Sequence, residues 1–228
     1  MNIAIIPARI GSKRIKQKNI KIFKGKPLIY YSINAAKKSK VFDKILVSTD
    51  SEKIGEIARK YGADVPFLRP KNLSDDYTGT KEVINHSINW CIKNKIDPKY
   101  ICCIYPTAPF LNYKNLIKSF RIIKKKNFNF IFSASKFQSS IFRSFYMKSG
   151  KLNKIFSGFS NKRSQDLKNT YYDAGQFYWG NKKSWASKNI FSKNSSFIEI
   201  PVLEGFDINT NEDWKNIIKL NKIHESTT

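Results

Sequence analysis

The 228-residue chain carries 42 Lys and Arg against 17 Asp and Glu, a formal net charge of +25. With 41% hydrophobic and 14% aromatic residues it can bury a core, and its length fits one α/β domain. The positive charge has three explanations: a coding bias that also enriches Asn, Ile and Phe, attraction of polyanionic small molecules, or nucleic-acid binding. The basic residues are scattered, and the densest run, 124–126, directly follows apolar residues. Nucleic acid is therefore the least favoured partner.

The three cysteines, Cys91, Cys102 and Cys103, match neither a zinc-site spacing nor an even-numbered disulfide framework. Their apolar surroundings predict free core thiols, which suit a reducing compartment. Residues 1–6 are apolar but too short for a signal peptide. Since no apolar stretch approaches the ~20 residues of a membrane span, we expect a cytoplasmic protein without a membrane partner.

Apolar runs alternate with segments of helical spacing over roughly the first 135 residues. The predicted strands cover residues 3–6, 44–48, 64–68, 100–104, 130–135, 171–179 and 197–202. The predicted helices follow Pro27, Asp50 or Ser51, and Thr78 or Thr80, and two more cover about 113–125 and 211–223. This order predicts a mostly parallel sheet with helices on both faces, in which ligands bind outside the carboxyl ends of the strands.

The alternation stops between residue 136 and about residue 172, where Phe, Ser and Arg are frequent. Short alternating pieces, such as residues 144–147, favour a small β-rich insertion here. Neither an internal repeat nor a low-complexity linker is present. The sequence therefore predicts one domain over residues 1–228 with one insertion.

A loop rich in cations directly follows the first predicted strand. Arg9, Lys13, Arg14, Lys16 and Lys18 all lie within it. Small residues allow backbone N–H groups to approach phosphate oxygens, and flanking cations neutralise their charge. The phosphate-loop and dinucleotide fingerprints are both absent. The residues favour triphosphate binding, with a solvated basic loop as the alternative.

Five motifs occur in order along nearly the whole chain. They are IPARIGSKR with KNI (6–14 and 18–20), VSTD (47–50), LRP (68–70), YPTAP (105–109) and DINT (207–210). Together they resemble the acylneuraminate cytidylyltransferases. NKRSQDL (161–167) and DAGQFYWG (173–180), with DDYTGT (75–80), resemble the pseudaminic acid branch of that family.

The resemblance implies a Rossmann-like nucleotidyltransferase fold, with the insertion at about 136–172 mediating a homodimer. It implies an enzyme that joins CMP from CTP to an acidic nine-carbon sugar, a nonulosonate, and releases pyrophosphate. Pseudaminic acid is the expected sugar, and N-acetylneuraminic or legionaminic acid the alternative. A nucleic-acid-binding protein and a non-catalytic nucleotide-binding protein are the alternatives of another class.

The resemblance also implies roles for individual residues. Nucleotide contacts are expected at Arg9, Gly11, Ser12, Lys13, Lys18, Asn19, Arg69, Thr80, Pro106 and Thr107. Contacts to the sugar, or between subunits, are expected at Tyr105, Arg143, Arg163, Gln165, Asp173 and Gln176. Arg9, Lys18 and Asp207 would act in catalysis, and Asp207 and Asn209 would hold Mg²⁺.

Two positions depart from the family pattern. Ile10 stands where a glycine or polar residue is frequent, and Asn209 stands where the sialic acid enzymes carry a second Asp. Asn offers Mg²⁺ one carbonyl oxygen without negative charge, so we expect weaker metal binding or more dependence on CTP. Simpler roles are open as well: Asp50 and Asp207 could cap the helices that follow them, and Arg69 could belong to a plain turn.

Overall fold

The computed structural model describes residues 1–159, 161–206 and 208–226. The strands within these ranges are β1 (Asn2–Pro7), β2 (Ile22–Phe23), β3 (Lys26–Pro27), β4 (Lys44–Ser48), β5 (Tyr100–Ile104), β6 (Phe130–Lys136), β7 (Phe145–Lys148), β8 (Lys151–Lys154), β9 (Tyr171–Asn181) and β10 (Ser195–Glu199). The α-helices are α1 (Leu28–Ser39), α2 (Glu52–Lys60), α3 (Thr80–Lys93), α4 (Tyr113–Lys125), α5 (Lys182–Ser187) and α6 (Asn211–Ser226).

Six strands form one sheet in the order β10–β6–β9–β5–β1–β4. β1 pairs in parallel with β4 and β5, and β10 pairs in parallel with β6. β9 runs antiparallel to both of its neighbours, β5 and β6. The predicted mostly parallel α/β sheet is confirmed, with β9 as its exception. As a result, the start of β9 lies at the edge where the parallel strands end.

Both faces of the sheet are covered, which explains the continuous apolar runs in its strands. Ala4 and Ile6 of β1 face a core built with α1, α2 and α4. Ile3 and Ile5 face a second core that contains residues of α3 and α5. Successive side chains of a strand point to opposite faces, so one short strand supplies both cores.

A third core lies beneath the cation-rich loop. Ile15 and Phe23 pack with Leu28 of α1 and with Trp214 and Ile217 of α6. Ile15 is 2% exposed and Ile217 is fully buried. The loop is therefore fixed from below by the last helix, although the two are some 200 residues apart in the chain.

Several predicted elements have the bounds found in the structure, among them β4, β5 and α4. The strand predicted at 64–68 is wrong. Two isolated bridges, Leu46 to Asp64 and Thr49 to Leu68, replace it. Pro66 lies between them, and proline has no backbone N–H to donate to a ladder. The short helix α5 was not predicted; Asn181 caps it by accepting a 2.8 Å hydrogen bond from the Ser184 amide.

Residues 136–172 contain the hairpin β7–β8, and all but one of its eight residues are exposed. The three cysteines are free and buried, as predicted. In the part of the chain that the structure describes, no helix has the length and apolar character needed to cross a membrane.

Replacing Gly180 with Ala should destabilise the sheet. The added Cβ would lie 2.7 Å from Cε1 of Phe130 and 3.0 Å from Nε1 of Trp185, both in a buried core. Overpacking of this kind costs about 1–3 kcal/mol of unfolding free energy, which urea denaturation would measure. Gly11→Ala is the matched control, because no atom lies within 4 Å of its added Cβ. Equal urea midpoints for the two variants would contradict the packing described for β9.

Candidate active site

A cleft of about 500 Å³ opens at the carboxyl ends of β1 and β5. Its walls come from the cation-rich loop, from residues 69–80 and from the segment after β5. The lining residues are Pro7, Arg9, Ser12, Lys13, Arg14, Lys18, Asn19, Arg69, Leu73, Asp75, Asp76, Thr78, Thr80, Val83, Tyr105, Pro106 and Thr107. This is the edge at which open α/β sheets bind ligands.

Nine of the ten residues predicted to contact a nucleotide line this cleft; they are Arg9, Ser12, Lys13, Lys18, Asn19, Arg69, Thr80, Pro106 and Thr107. The tenth, Gly11, lines an adjoining cavity of about 520 Å³ together with Lys16 and Tyr77. A Cβ at Gly11 would meet no atom within 4 Å, so packing within this chain does not require glycine there. The roles of all ten remain predictions.

Hydrogen bonds that involve Asp50, Asn19 and Ser48 hold the cation-rich loop in shape. The Ile10 amide donates a 2.9 Å hydrogen bond to Oδ1 of Asp50, and Nδ2 of Asn19 donates a 2.8 Å bond to the Arg9 carbonyl. The Ala8 amide donates to the Ser48 carbonyl at 2.9 Å. The Asp50 carboxylate thus binds the loop; the cap of α2 is Ser51, without a side-chain hydrogen bond.

The carboxylate of Asp76 lies between two cations of this loop. Its Oδ1 is 2.6 Å from Nη2 of Arg9, and its Oδ2 forms an ion pair with Nζ of Lys13. Hydrogen bonds from Lys13 and Arg9 hold the pKa of Asp76 below its ordinary value. The loop therefore already holds an anion, and that anion comes from the chain itself.

Asp75 gives the neighbouring turn a fixed shape. Its Oδ1 accepts hydrogen bonds from the Thr78 amide and hydroxyl, both at 2.7 Å, and from the Tyr77 amide at 3.0 Å. These bonds lower the pKa of Asp75, with the Thr78 hydroxyl the largest cause. The Asp75 carbonyl also accepts a 2.8 Å bond from Nη1 of Arg9. The turn is thus joined to the cation-rich loop through both Asp75 and Asp76.

Arg69 is a buried cation in the wall of the cleft, with 5% of its surface exposed. Its Nε donates to the Ser74 hydroxyl at 3.1 Å, and its Nη1 donates to the Ser48 carbonyl at 3.4 Å. Burial lowers the pKa of Arg69, and the charge of Asp50 acts in the opposite direction. A guanidinium keeps its proton through such a shift, so Arg69 brings a partly desolvated positive charge to the cleft.

Two further cations join the loop to the segment before α6. Nζ of Lys18 donates a 2.5 Å hydrogen bond to the Ile208 carbonyl, and Nη2 of Arg14 donates a 3.0 Å bond to Oδ1 of Asn209. Oδ2 of Asp213 accepts from the backbone amides of Asn209 and Thr210, at 2.8 and 2.7 Å. The Asp213 amide donates to the Thr210 hydroxyl at 3.1 Å, so these two side chains cap the helix reciprocally.

The structure describes one of the two predicted metal ligands. Asp207, also predicted to act in catalysis, lies outside the described residues. Asn209 uses its one carbonyl oxygen to accept from Arg14, a cation that would compete with Mg²⁺. Over residues 1–159, 161–206 and 208–226, no three His, Cys, Asp or Glu side chains come together as a metal site. Binding of Mg²⁺ by Asp207 and Asn209 therefore remains a prediction.

Of the six residues predicted for the sugar, Tyr105 lines the cleft. Its hydroxyl is 2.8 Å from Oγ1 of Thr80. Gln176 is 2% exposed, and its Nε2 donates a 2.5 Å hydrogen bond to the Glu204 carbonyl, which supports the loop after β10. Asp173 lies on β9 and accepts a 2.5 Å hydrogen bond from the Tyr178 hydroxyl.

The other three, Arg143, Arg163 and Gln165, are exposed on the 136–172 insertion and do not line the cleft of their own chain. Arg143 donates to the Lys162 carbonyl, and Nε of Arg163 is 3.1 Å from Asp166. Their contact with a sugar remains a prediction that would need a second subunit.

Sequence reasoning missed Asp76, which pairs with both Arg9 and Lys13. One signal could have found it: adjacent aspartates are conspicuous in a chain with 42 basic and 17 acidic residues. The hydrogen bond from Tyr178 to Asp173 had no such signal, because it depends on an irregularity of β9.

Comparison with known proteins gives consistent results. The model of the family described as cytidylyltransferase matches residues 3–224. The pseudaminic acid cytidylyltransferase of Campylobacter jejuni is 42% identical over 228 residues, which cover 99% of this chain and 98% of that protein. A second relative is a Helicobacter pylori protein, which is 40% identical over 208 residues. Its name combines pseudaminic acid cytidylyltransferase with UDP-2,4-diacetamido-2,4,6-trideoxy-beta-L-altropyranose hydrolase. The match covers 90% of this chain and 40% of the Helicobacter pylori protein.

Among solved structures, a CMP:2-keto-3-deoxy-manno-octonic acid synthetase complexed with CTP superposes with a TM-score of 0.74. The match covers 98% of this chain and 100% of that chain at 12% identity. Identity this low supports the fold alone, and the predicted fold class is confirmed. The resemblance drawn from the five motifs is confirmed by the sequence matches.

Replacing Asp76 with Asn should strengthen the binding of inorganic triphosphate about three- to fivefold. The variant removes a carboxylate that competes with the ligand for Arg9 and Lys13. The expected gain is small because an exposed ion pair contributes little free energy. Isothermal titration calorimetry would measure the two dissociation constants. Asp97→Asn is the matched control, since it removes an exposed pair with Lys182 outside the cleft. Weaker binding by Asp76→Asn would mean that Asp76 itself contacts the ligand.

Proposed function

Because this chain belongs to the cytidylyltransferase family, we propose that it transfers CMP from CTP to pseudaminic acid and releases pyrophosphate. The observation that carries the proposal is the pair formed by Arg9 and Lys13, which binds the Asp76 carboxylate at the mouth of the cleft. A site that holds a carboxylate between a guanidinium and an ammonium suits a phosphate group. The nearly full-length match to the Campylobacter jejuni protein supports the choice of sugar.

The β- and γ-phosphates of CTP would replace Asp76 at this pair. The planar guanidinium of Arg9 can bind two phosphate oxygens at once, whereas Lys13 acts as a mobile point charge. Side chains of Lys13 and Asp76 are 81% and 29% exposed, so exchange of one anion for the other needs no opening of the core. Arg69, Asn19, Thr80, Pro106 and Thr107 would surround the nucleoside.

The reaction is attack of the sugar's anomeric hydroxyl oxygen on the α-phosphorus of CTP. A new P–O bond forms to the sugar, the bond between the α-phosphorus and its bridging oxygen breaks, the hydroxyl proton passes to solvent, and pyrophosphate leaves. Such transfers depend on positioning and charge stabilisation. Arg9, Lys13 and Lys18 would stabilise the charge that develops on pyrophosphate. No protein nucleophile is needed, and burial raises the pKa of Cys91, Cys102 and Cys103, which makes these thiols unreactive.

The Mg²⁺ prediction depends on Asp207 and on the phosphate oxygens of CTP, since Asn209 already accepts from Arg14. We assign no step to the metal. Cytoplasmic location also stays a prediction.

A homodimer formed through the 136–172 insertion is part of the proposal. Five large apolar side chains of this segment are more than half exposed: Phe145, Tyr146, Met147, Leu152 and Ile155. Exposed apolar side chains gathered in this way mark association surfaces in water-soluble proteins. A dimer would also bring Arg143 and Arg163 of one subunit within reach of another cleft, where a guanidinium could bind the sugar's carboxylate.

Pyrophosphate release from CTP tests the function directly, with pseudaminic, legionaminic and N-acetylneuraminic acids offered in parallel and Mg²⁺ present. Arg9→Ala should lower the turnover with pseudaminic acid at least about 100-fold, because it removes a donor to the charged leaving group. Arg59→Ala is the matched control, since it loses an exposed ion pair with Glu52 away from the cleft.

Release with another sugar alone would overturn the choice of pseudaminic acid and keep the mechanism. CTP binding without release would favour the non-catalytic alternative. Near-normal turnover by Arg9→Ala would remove the cation-rich loop from the active site.

Replacing Met147 with Glu should shift the protein from dimer to monomer, because a charge would enter the proposed apolar interface. Light scattering coupled to size-exclusion chromatography would measure the mass against 26.5 kDa for one chain. Ile92→Glu is the matched control, since Ile92 is 48% exposed on α3. A mass unchanged in the Met147 variant, or a monomeric wild-type protein, would contradict the interface.

A further inference from the structure

Arg14 is a further cation of the loop that lines the cleft, together with Arg9, Lys13 and Lys18. Its Nη2 donates a 3.0 Å hydrogen bond to Oδ1 of Asn209, which lies just before α6. The two residues are 195 positions apart in the chain. The fold thus brings an asparagine from the end of the chain to a cation in the wall of the cleft.

Both residues are held in place by the apolar core beneath the loop. Ile15 follows Arg14 and is 2% exposed, and Ile208 precedes Asn209 and is fully buried. Ile15 and Ile208 belong to the same apolar cluster. The Asn209 amide is fixed again by its 2.8 Å hydrogen bond to Oδ2 of Asp213. The contact between Arg14 and Asn209 therefore joins two anchored stretches of backbone.

Asn209 orients Arg14 without offsetting its charge. An amide oxygen accepts an N–H but carries no formal charge. Arg9 and Lys13 differ in this respect, because both form ion pairs with the Asp76 carboxylate. Over residues 1–159, 161–206 and 208–226, no carboxylate forms an ion pair with Arg14. Arg14 therefore keeps its full positive charge for a ligand.

The geometry of a guanidinium determines the kind of ligand. Its N–H donors form a planar fork, and the bond to Asn209 occupies one of them. The others can bind two oxygens of one oxyanion, as phosphate and carboxylate groups offer them. An aspartate at position 209 would pair with Arg14 and offset its charge. A neutral residue at this position is therefore what binding of an oxyanion requires.

We propose that Arg14 is a further substrate-binding residue, which binds an oxyanion, either a phosphate of CTP or the carboxylate of the acidic sugar. Asn209 is its positioning residue and fixes the guanidinium without offsetting the charge. This inference rests on the proposed function. It gives Asn209 a role that is independent of Mg²⁺.

Two measurements on Arg14→Gln would test the proposal: calorimetric titration with inorganic triphosphate in EDTA, and steady-state kinetics of pyrophosphate release. The KM should rise about tenfold for the substrate whose oxyanion Arg14 binds, because one charge-assisted hydrogen bond is lost. The other KM should change less than about twofold. If the oxyanion is a phosphate, the dissociation constant of triphosphate should rise about tenfold as well.

Arg14→Lys should lose about threefold in the same measurement, because an ammonium keeps the charge but lacks the fork. Arg121→Gln is the matched control, since it removes an exposed guanidinium on α4 outside the cleft.

Variants of Asn209 test the positioning role in the measurement that Arg14→Gln changes. Asn209→Asp should weaken binding about fivefold, because the new carboxylate pairs with Arg14. Asn209→Ala should weaken it only about twofold, because the charge of Arg14 stays available, although alanine alters the structure more. Asn127→Asp is the matched control for the added charge, since Asn127 is exposed and does not line the cleft.

Triphosphate binding and both KM values at wild-type level in Arg14→Gln would overturn the inference. A greater loss in Asn209→Ala than in Asn209→Asp would overturn the role of Asn209. Urea midpoints of all variants would separate a change in binding from a change in stability. Absence of turnover in the wild-type protein would remove the proposed function; unchanged triphosphate binding by Arg14→Gln would then overturn the inference as well.

Discussion

The structure gathers cations at one edge of a sheet, where their charges must be offset. Arg9, Lys13 and Arg69 line one cleft, and cations gathered in one cleft repel one another. The chain offsets this repulsion with its own carboxylates, Asp50 on the backbone of the loop and Asp76 on its side chains. The apolar cluster of Ile15, Phe23 and Trp214 beneath the loop keeps it from spreading into solvent. Under the proposed function, the phosphates of CTP would take over the neutralising role of Asp76.

The sequence predicts the elements that depend on local pattern. β4 and β5 are continuous apolar runs, and α4 begins after Asn112, whose side chain accepts from the Lys114 amide; all three were predicted with correct bounds. The prediction at 64–68 failed because apolar periodicity takes no account of the missing N–H of Pro66. The antiparallel direction of β9 could not be predicted from the sequence either, because a buried apolar run has the same residue pattern in a parallel and in an antiparallel strand.

The candidate site likewise has a part that the sequence predicts and a part that it does not. Residues of the cation-rich loop were predicted because they are consecutive in sequence and follow a strand. The pairing of Asp76 with Arg9 joins residues 67 positions apart, and the hydrogen bond from Lys18 to the Ile208 carbonyl joins residues 190 positions apart. Contacts between such distant residues follow from the order of strands in the sheet, and no local pattern encodes that order. The proposed role of Arg143 and Arg163 cannot be derived from one chain at all, because it needs a second subunit.

The reversed direction of β9 has an evolutionary consequence. In a wholly parallel sheet, every residue that faces the ligand follows the carboxyl end of a strand, in loops shared with nucleotide binding. Here the beginning of β9 enters the same edge from the opposite side, next to Tyr105, and brings Asp173 and Gly175 with it. Under the proposed function, substitutions in this short stretch would change which acceptor sugar is selected, while the residues that bind the nucleoside triphosphate would be inherited unchanged. Relatives that use different sugars could thus have diverged by altering one strand.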